Sequence, residues 1–408
     1  MNPSSSKTLK CLSSLICLVF SIALAAQTPE LTAPVPTPES VRNPDQKVAY
    51  VYISREPDNS GPNQILGFAA AANGKLTSIK GSPFDANVGA MAVNGKYLFA
   101  GASNYPDNSS INTYAIEPDG DLRFVVSNSN PQVGSTNYDQ LFLDHTGATL
   151  YALLDYVDED EFASFSIDKA TGTLAFTQSN YPDRYEQSFT VSSNDKYIYV
   201  ASAWEDGPEV DTLNTENWTL TTDPVPVPRP TGYSDPYFLS TGPLNHVAGA
   251  FAPGCGICDG GWYSGSIQLG VYTADADGNL TTTSTYKNMA TTMFGPSVGA
   301  SDMRMSPSGK LLAISGGSGL QVFHFNGSEP ITPYATLVKN SKFNPQLDAV
   351  PFKQLYWDND NHLFALFANK LYVFTVTPTS ITEAPGSPHT IAGFPGAQYL
   401  TVQPLPLQ

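Results

Sequence analysis

Apolar and polar residues alternate along this chain in short runs with a period of two, broken by glycine, asparagine and aspartate turns. The stretch 139–178, DQLFLDHTGATLYALLDYVDEDEFASFSIDKATGTLAFTQ, holds one complete unit. A short apolar strand at 140–143 meets a polar turn containing Gly147, and a second strand follows at 149–154. An acidic loop leads to a third strand at 162–167, and a turn at 168–172 leads to a fourth at 173–178. Strand side chains point alternately to the two sheet faces. Four such strands joined by turn-forming residues, recurring about every 45 to 50 residues, are the mark of one blade of a β-propeller.

Worn copies of the unit run through the rest of the chain. VAYVYIS begins at Val48, and the Asn73-Gly74 and Asn94-Gly95 pairs are strong hairpin signals between alternating apolar residues. Further units start at SFTVSSNDKYIYVASAW (188–204), PYFLS with HVAGAFAP, DMRMSPSGKLLAISGG and QLYWDNDNHLFALFA. The proline-rich DPVPVPRP at 223–230 has to be an edge or a loop, because proline donates nothing to a sheet ladder. The first unit has only three strands, while AQYLTVQ at 397–403 reads as an inner strand with nothing after it. Joining the two completes a blade from both chain ends. The expectation is an all-β protein, a seven-bladed propeller of four-stranded antiparallel blades over 47–408, closed by its C-terminal strand.

The residues before the propeller have a different character. Lys7 and Lys10 precede an apolar run at 11–25 that ends in small residues, the pattern of a secretory signal peptide over 1–26. Residues 27–46 carry five prolines and no strand alternation, and read as a flexible linker. The mature protein is therefore expected to be secreted or periplasmic, without membrane insertion, and a monomer. Acidic residues outnumber basic ones, 37 to 20, for a formal charge of -17, which repels nucleic acid and anionic surfaces. Cys11 and Cys17 fall in the leader, so Cys255 and Cys258 remain. In an oxidising compartment a local disulfide suits that pair better than a metal site, which needs further ligands.

PSGKLLAIS at 307–315, with its variants NGKYLFAG and NDKYIYVA, resembles the YVTN-type repeats. The hairpins FSIDKATGTL and FAAAANGKL and the Gly-Ser-Pro endings at 81–83 and 386–388 resemble the seven-bladed lactonase propellers called 6-phosphogluconolactonase-like, over 47–403. The matching residues make turns and pack blades. For the active members, the resemblance implies histidine, arginine and glutamate near the mouth of the central channel. Here the inner strands of the third and fourth units begin TNYDQLFLD and YEQSFTV, without histidine. His145, His246, His324, His362 and His389 fall in turns or outer strands and read as structural or solvated.

Aligning the inner strands puts Asp139, Gln187, Asp302, Lys353 and Gln398, within one residue, at their channel-facing starts. Asp302 and Arg304 lie on the same strand face, where they can pair; an arginine beside a carboxylate is also the minimum equipment for polarising a lactone carbonyl, so these two are the candidate catalytic residues. Trp204, Trp262 and Tyr263, in acidic loops of the same face, suit stacking on a sugar or a cation. The acidic run 158–161 and the ADADG at 274–278 do not supply the converging oxygens that calcium needs, so no metal and no cofactor is expected. Two functions follow: an exported propeller that binds a small molecule, glycan or protein on its loop-rich face, or a lactone hydrolase at the channel mouth.

Overall fold

The computed structural model describes residues 43–406 apart from 57–62, 103–109, 130–136, 157–158, 181–184, 204–208, 221–224, 227–233, 254–264, 295–299, 340–351, 360–361, 368, 378 and 392–395. Its strands form seven antiparallel sheets with no helix among the described residues. In six sheets the four strands follow chain order from an inner strand outward, as in Asn137–Leu143, Thr149–Tyr156, Glu159–Ile167 and Leu174–Asn180. The seventh sheet pairs the C-terminal Gly396–Pro404 with Lys47–Glu56, followed by Gln64–Ala71 and Leu76–Ser78. The ring is thus closed by the strand that the sequence pattern assigns to that place. Blade 1 is this composite sheet, and blades 2 to 7 follow in chain order. Of the proline-rich run, Val225–Pro226 forms a two-residue outer edge, where a missing amide costs nothing.

The apolar core is divided into seven clusters, one at each seam between neighbouring blades. The second strands supply much of it; Tyr97–Gly101 is buried throughout, because both faces of that strand pack on neighbouring sheets. A recurring device ties one blade to the outer hairpin of the next. The Tyr50 and Tyr52 hydroxyls donate to the carbonyls of Pro118 and Gly120 at 2.6 and 2.8 Å, and the Tyr97 hydroxyl donates to the Ala170 carbonyl at 2.7 Å. Gly120 at that contact has φ 89°, and a Cβ there would stand 2.6 Å from the Tyr50 ring. In blade 4 the equivalent turn holds Trp218 at φ 58°, whose ring stacks on Tyr151 at 6.2 Å. That contact offsets the strain of a left-handed tryptophan.

The Gly-Ser-Pro endings of blades 1 and 7 also have a packing role. The Ser82 hydroxyl accepts the Gly67 amide at 2.9 Å, and that of Ser387 accepts the Val373 amide at 3.0 Å. Both Ser-Pro bonds are cis. Each ending leads into a short fifth strand, Phe84–Asp85 or His389–Thr390, that pairs with the third strand. The signal peptide, most of the linker and the Cys255–Cys258 pair lie outside the described residues.

Gly120→Ala forces a side chain into the Tyr50 ring at a backbone conformation that disfavours one. We expect a loss of about 1–3 kcal/mol, read as a lower urea midpoint with an unchanged m-value.

Candidate functional site: the central channel

Each inner strand pairs only with the second strand of its own blade, so every other amide on its free edge faces the channel without a ladder partner. Side chains of the preceding blade satisfy several of these amides. The Ser188 hydroxyl of blade 4 accepts from Leu239 of blade 5 at 3.3 Å, and the Ser240 hydroxyl accepts from Met305 of blade 6 at 2.8 Å. The Asp302 carboxylate accepts from Leu355 of blade 7 at 2.7 Å, and the Gln354 amide oxygen accepts from Leu400 of the closing strand at 2.5 Å. Four successive seams are thereby joined at the channel wall. The inner strands run in parallel around the ring with their alternation in step, so a polar residue at one position of the repeat meets a backbone amide one position further along in the next blade.

A second regularity sets the height of the site. The register slips by one residue at the same place in five inner strands, opposite Leu153/Leu154 in blade 3 and at Glu186/Ser188, Pro236/Phe238, Ala300/Asp302 and Phe352/Gln354 in blades 4 to 7. The extra residues are Asp139, Gln187, Tyr237, Ser301 and Lys353. The closing strand shifts at the same level, between the partners of Ile53 and Arg55, where Gln398 lies. Bulges of this kind re-aim side chains next to functional sites. Of the ring expected from sequence, Asp139, Gln187 and Lys353 are therefore bulge residues and Gln398 lies in the shifted stretch. Asp302 stands one position further on, and Ser301 takes the bulge in blade 6.

At the level of the bulges and beyond them the channel holds a half-open cavity of about 200 Å³. Asp139, Gln140, Ser301 and Gln354 line it with polar groups, and Phe189, Phe238, Leu239 and Tyr399 give it apolar walls. Arg304 and Phe142 bound it three positions beyond the bulges. The guanidinium of Arg304 lies 5.1 Å from the centre of the Phe142 ring, a cation–π contact between blades 6 and 3, which face each other across the ring. Arg304 therefore crosses the channel. Its Nε donates to Asp302 at 3.2 Å, and its carbonyl accepts the Trp357 indole N–H at 3.0 Å. Its Nη1 and Nη2 donate to no acceptor among the described residues.

Asp302 is nearly buried, its side chain 10% exposed, and its two oxygens accept the Met303 amide at 2.8 Å, the Leu355 amide and Arg304 Nε. The carboxylate is thus held by three donors, two of them backbone. Asp302 and Arg304 do meet, as their spacing suggests, and Asp139 shares their cavity; Trp204, Trp262 and Tyr263 lie outside the described residues, as do the side chains of Gln187, Lys353 and Gln398. Sequence reasoning missed Gln140, Ser188, Ser301 and Gln354. Each sits one position from a residue of the expected ring, inside the one-residue allowance, and the bulge in each inner strand decides which of the two neighbours lines the cavity.

Among the described residues no histidine lines the cavity. His362 is fully buried with Nδ1 2.6 Å from the Asp358 carboxylate, and His145 makes the same contact with Asp195 on the surface. His324 packs on Tyr334 with ring centres 4.2 Å apart. His246 is half-buried against Phe325 with no partner for its buried Nδ1, and burial pulls its pKa below the ordinary value; His389 is shifted the same way by the same cause. Among the described residues no group of three or more His, Cys, Asp or Glu is placed to hold a metal ion.

Solved structures share this architecture. A periplasmic gluconolactonase of Pseudomonas aeruginosa aligns with a TM-score of 0.60 at 16% identity, over 88% of this chain and 100% of its own. The seven-bladed propeller is the fold the two share. A Bacteroides uniformis protein provisionally assigned as a 6-phosphogluconolactonase aligns with a TM-score of 0.60 at 14% identity, and a protein from Lactobacillus plantarum with 0.63 at 13%; each covers 88% of this chain and 100% of its own. No family model matches the chain, and no curated protein matches it in sequence. At these identities the likeness establishes the propeller and leaves its chemistry to the residues of the channel.

Two outcomes follow. Asp302→Ala strips acceptors from the Met303 and Leu355 amides and leaves Arg304 unpaired, which is expected to cost about 2–4 kcal/mol in urea unfolding, whereas Asp302→Asn keeps an acceptor for Leu355 and costs less. The unfolded chain holds a proton on His246 at pH values where the folded protein does not, so stability contributed by its neutral form is lost as pH falls below about 6.5. The drop in melting temperature of the wild type between pH 7 and pH 5 should shrink in His246→Gln, measured by circular dichroism.

Proposed function

We propose that the protein is a small-molecule binding propeller whose ligand occupies the channel cavity against Arg304. The observation that carries this reading is the condition of Asp302. A general base needs a carboxylate able to take a proton from the reacting group, and this one is committed to two backbone amides and the guanidinium. Arg304, in contrast, lines the cavity with terminal nitrogens that donate to no acceptor among the described residues. Guanidinium forks suit acceptor-bearing ligands, and the cavity is smaller than the roughly 300 Å³ at which drug-sized sites begin. A ligand of monosaccharide or amino-acid size fits this description better than a polymer.

Lactone hydrolysis is the second reading. It is supported by the gluconolactonase among the structural neighbours and by a guanidinium able to polarise a carbonyl. It would have to take its base from Asp139, the other carboxylate of the described lining.

The two readings separate in one experiment on the full mature chain with a panel of lactones, sugars and small metabolites. Saturable binding by calorimetry without turnover, weakened about tenfold or more in Arg304→Gln, is the expected result. Turnover of a lactone by the wild type, lost in both Arg304→Gln and Asp139→Asn with melting temperatures unchanged, would establish the hydrolase instead.

A further inference from the structure

We propose that the ligand of the channel cavity is a small monocarboxylate whose remaining polar group only accepts hydrogen bonds, of which a short 2-oxo acid is the type. This rests on the binding reading above and narrows it to a chemical class.

The contacts between blades set the hydrogen-bonding character of the cavity. Each clasping side chain gives its acceptor to a backbone amide of the next blade, and what it has left is a donor. Gln354 accepts the Leu400 amide through Oε1, which makes Nε2 its other end, and Nε2 donates to no acceptor among the described residues. The Ser188 hydroxyl accepts the Leu239 amide, and its own proton finds no acceptor among them either. Ser188 is only 5% exposed, so leaving that proton unmatched is costly. Asp302 follows the same rule: both its oxygens are occupied, and it takes only Nε of Arg304, leaving Nη1 and Nη2 without an acceptor. Blades 4, 6 and 7 thus each bring spare donors to one lining.

Those donors discriminate among ligands. A carboxylate matches the guanidinium fork in charge and geometry. A second negative group would add to the Asp302 and Asp139 carboxylates of the lining, so one carboxylate is favoured over two and over a phosphate. In a cavity this small the rest of the ligand meets Gln354 and Ser188. A keto oxygen beside the carboxylate accepts their hydrogens and brings none of its own. A hydroxyl at that carbon brings one hydrogen, for which Gln140 and Ser301 keep an acceptor each. An ammonium brings three, and the two carboxylates that would receive it, Asp302 and Asp139, already have partners. The order of preference is therefore oxo, then hydroxy, then amino.

Calorimetry on the full chain tests this with pyruvate, L-lactate, propionate and L-alanine, which share a carboxylate and differ at one carbon, and with pyruvamide as the neutral counterpart. Pyruvate is expected to bind about tenfold or more tightly than pyruvamide, propionate and L-alanine, with L-lactate between. Gln354→Glu keeps an acceptor for the Leu400 amide and replaces the spare donor by a carboxylate oxygen. It should weaken pyruvate about tenfold or more and improve L-alanine, a reversal that general loss of folding cannot produce. Arg304→Lys keeps the charge without the fork and should weaken pyruvate and propionate alike; with the wild-type series it decides the matter even where Gln354→Glu does not fold. Pyruvamide binding as tightly as pyruvate would show that no carboxylate is recognised, and L-alanine binding as tightly would show that donors are not excluded; either result overturns the proposal while the binding reading stands. If none of the five probes binds the wild type, the proposal fails, and the wider lactone and metabolite panel then decides whether the binding reading fails with it.

Discussion

The constraint on which this structure depends is the unpaired inner edge of each blade. A propeller removes most sheet edges by wrapping its blades into a ring, but seven inner strands still present amides to the channel, and a buried amide without an acceptor costs on the order of 1–3 kcal/mol. Here side chains of one blade accept amides of the next, from Ser188 through Ser240 and Asp302 to Gln354. The last of these contacts falls on Leu400 of the C-terminal strand. The same interaction that settles the channel wall therefore fastens the closing strand to the blade before it.

That arrangement also determines what the channel can hold. Acceptors used on backbone amides are withdrawn from ligands, and Asp302 is the clearest case: a carboxylate on the channel wall whose oxygens are occupied by Met303, Leu355 and Arg304. Its effect is indirect. By holding Nε of Arg304 it orients the guanidinium onto Phe142 at the wall of the cavity. Structure and candidate function share these residues, so a change at Asp302 alters both stability and the site.

Much of the fold was legible in the sequence because its signals are local. Alternation over six or seven residues marks a strand, and Asn-Gly, Asp-Gly and Ala-Thr-Gly mark the turns that join strands; these turn glycines do adopt positive φ, at Gly74, Gly95, Gly120, Gly172 and Gly278. The lone strand at the C-terminus and the incomplete first unit were enough to place the ring closure. Less was legible where periodicity fades. Blade 2 has an inner strand of only three residues, Met91–Val93, shorter than its apolar run suggests, because Gly89 and Ala90 both bond to Gly101 of the second strand and interrupt the regular ladder there.

The sequence by itself determined the strands, the blade count, the closure and the approximate ring of channel positions, since each of these depends on residues close together in the chain or on a repeat that can be counted. Only the tertiary structure decided which of those positions meet. The carboxylate of Asp302 reaches the Leu355 amide 53 residues away, and Arg304 reaches Phe142 on the opposite blade. Neither contact leaves a periodic trace, because each depends on one side chain crossing a gap whose width is set by closing seven twisted sheets into a ring. A single extra residue in an inner strand decides the rest, making Ser301 the bulge and moving Asp302 from an open carboxylate to a clasp between blades.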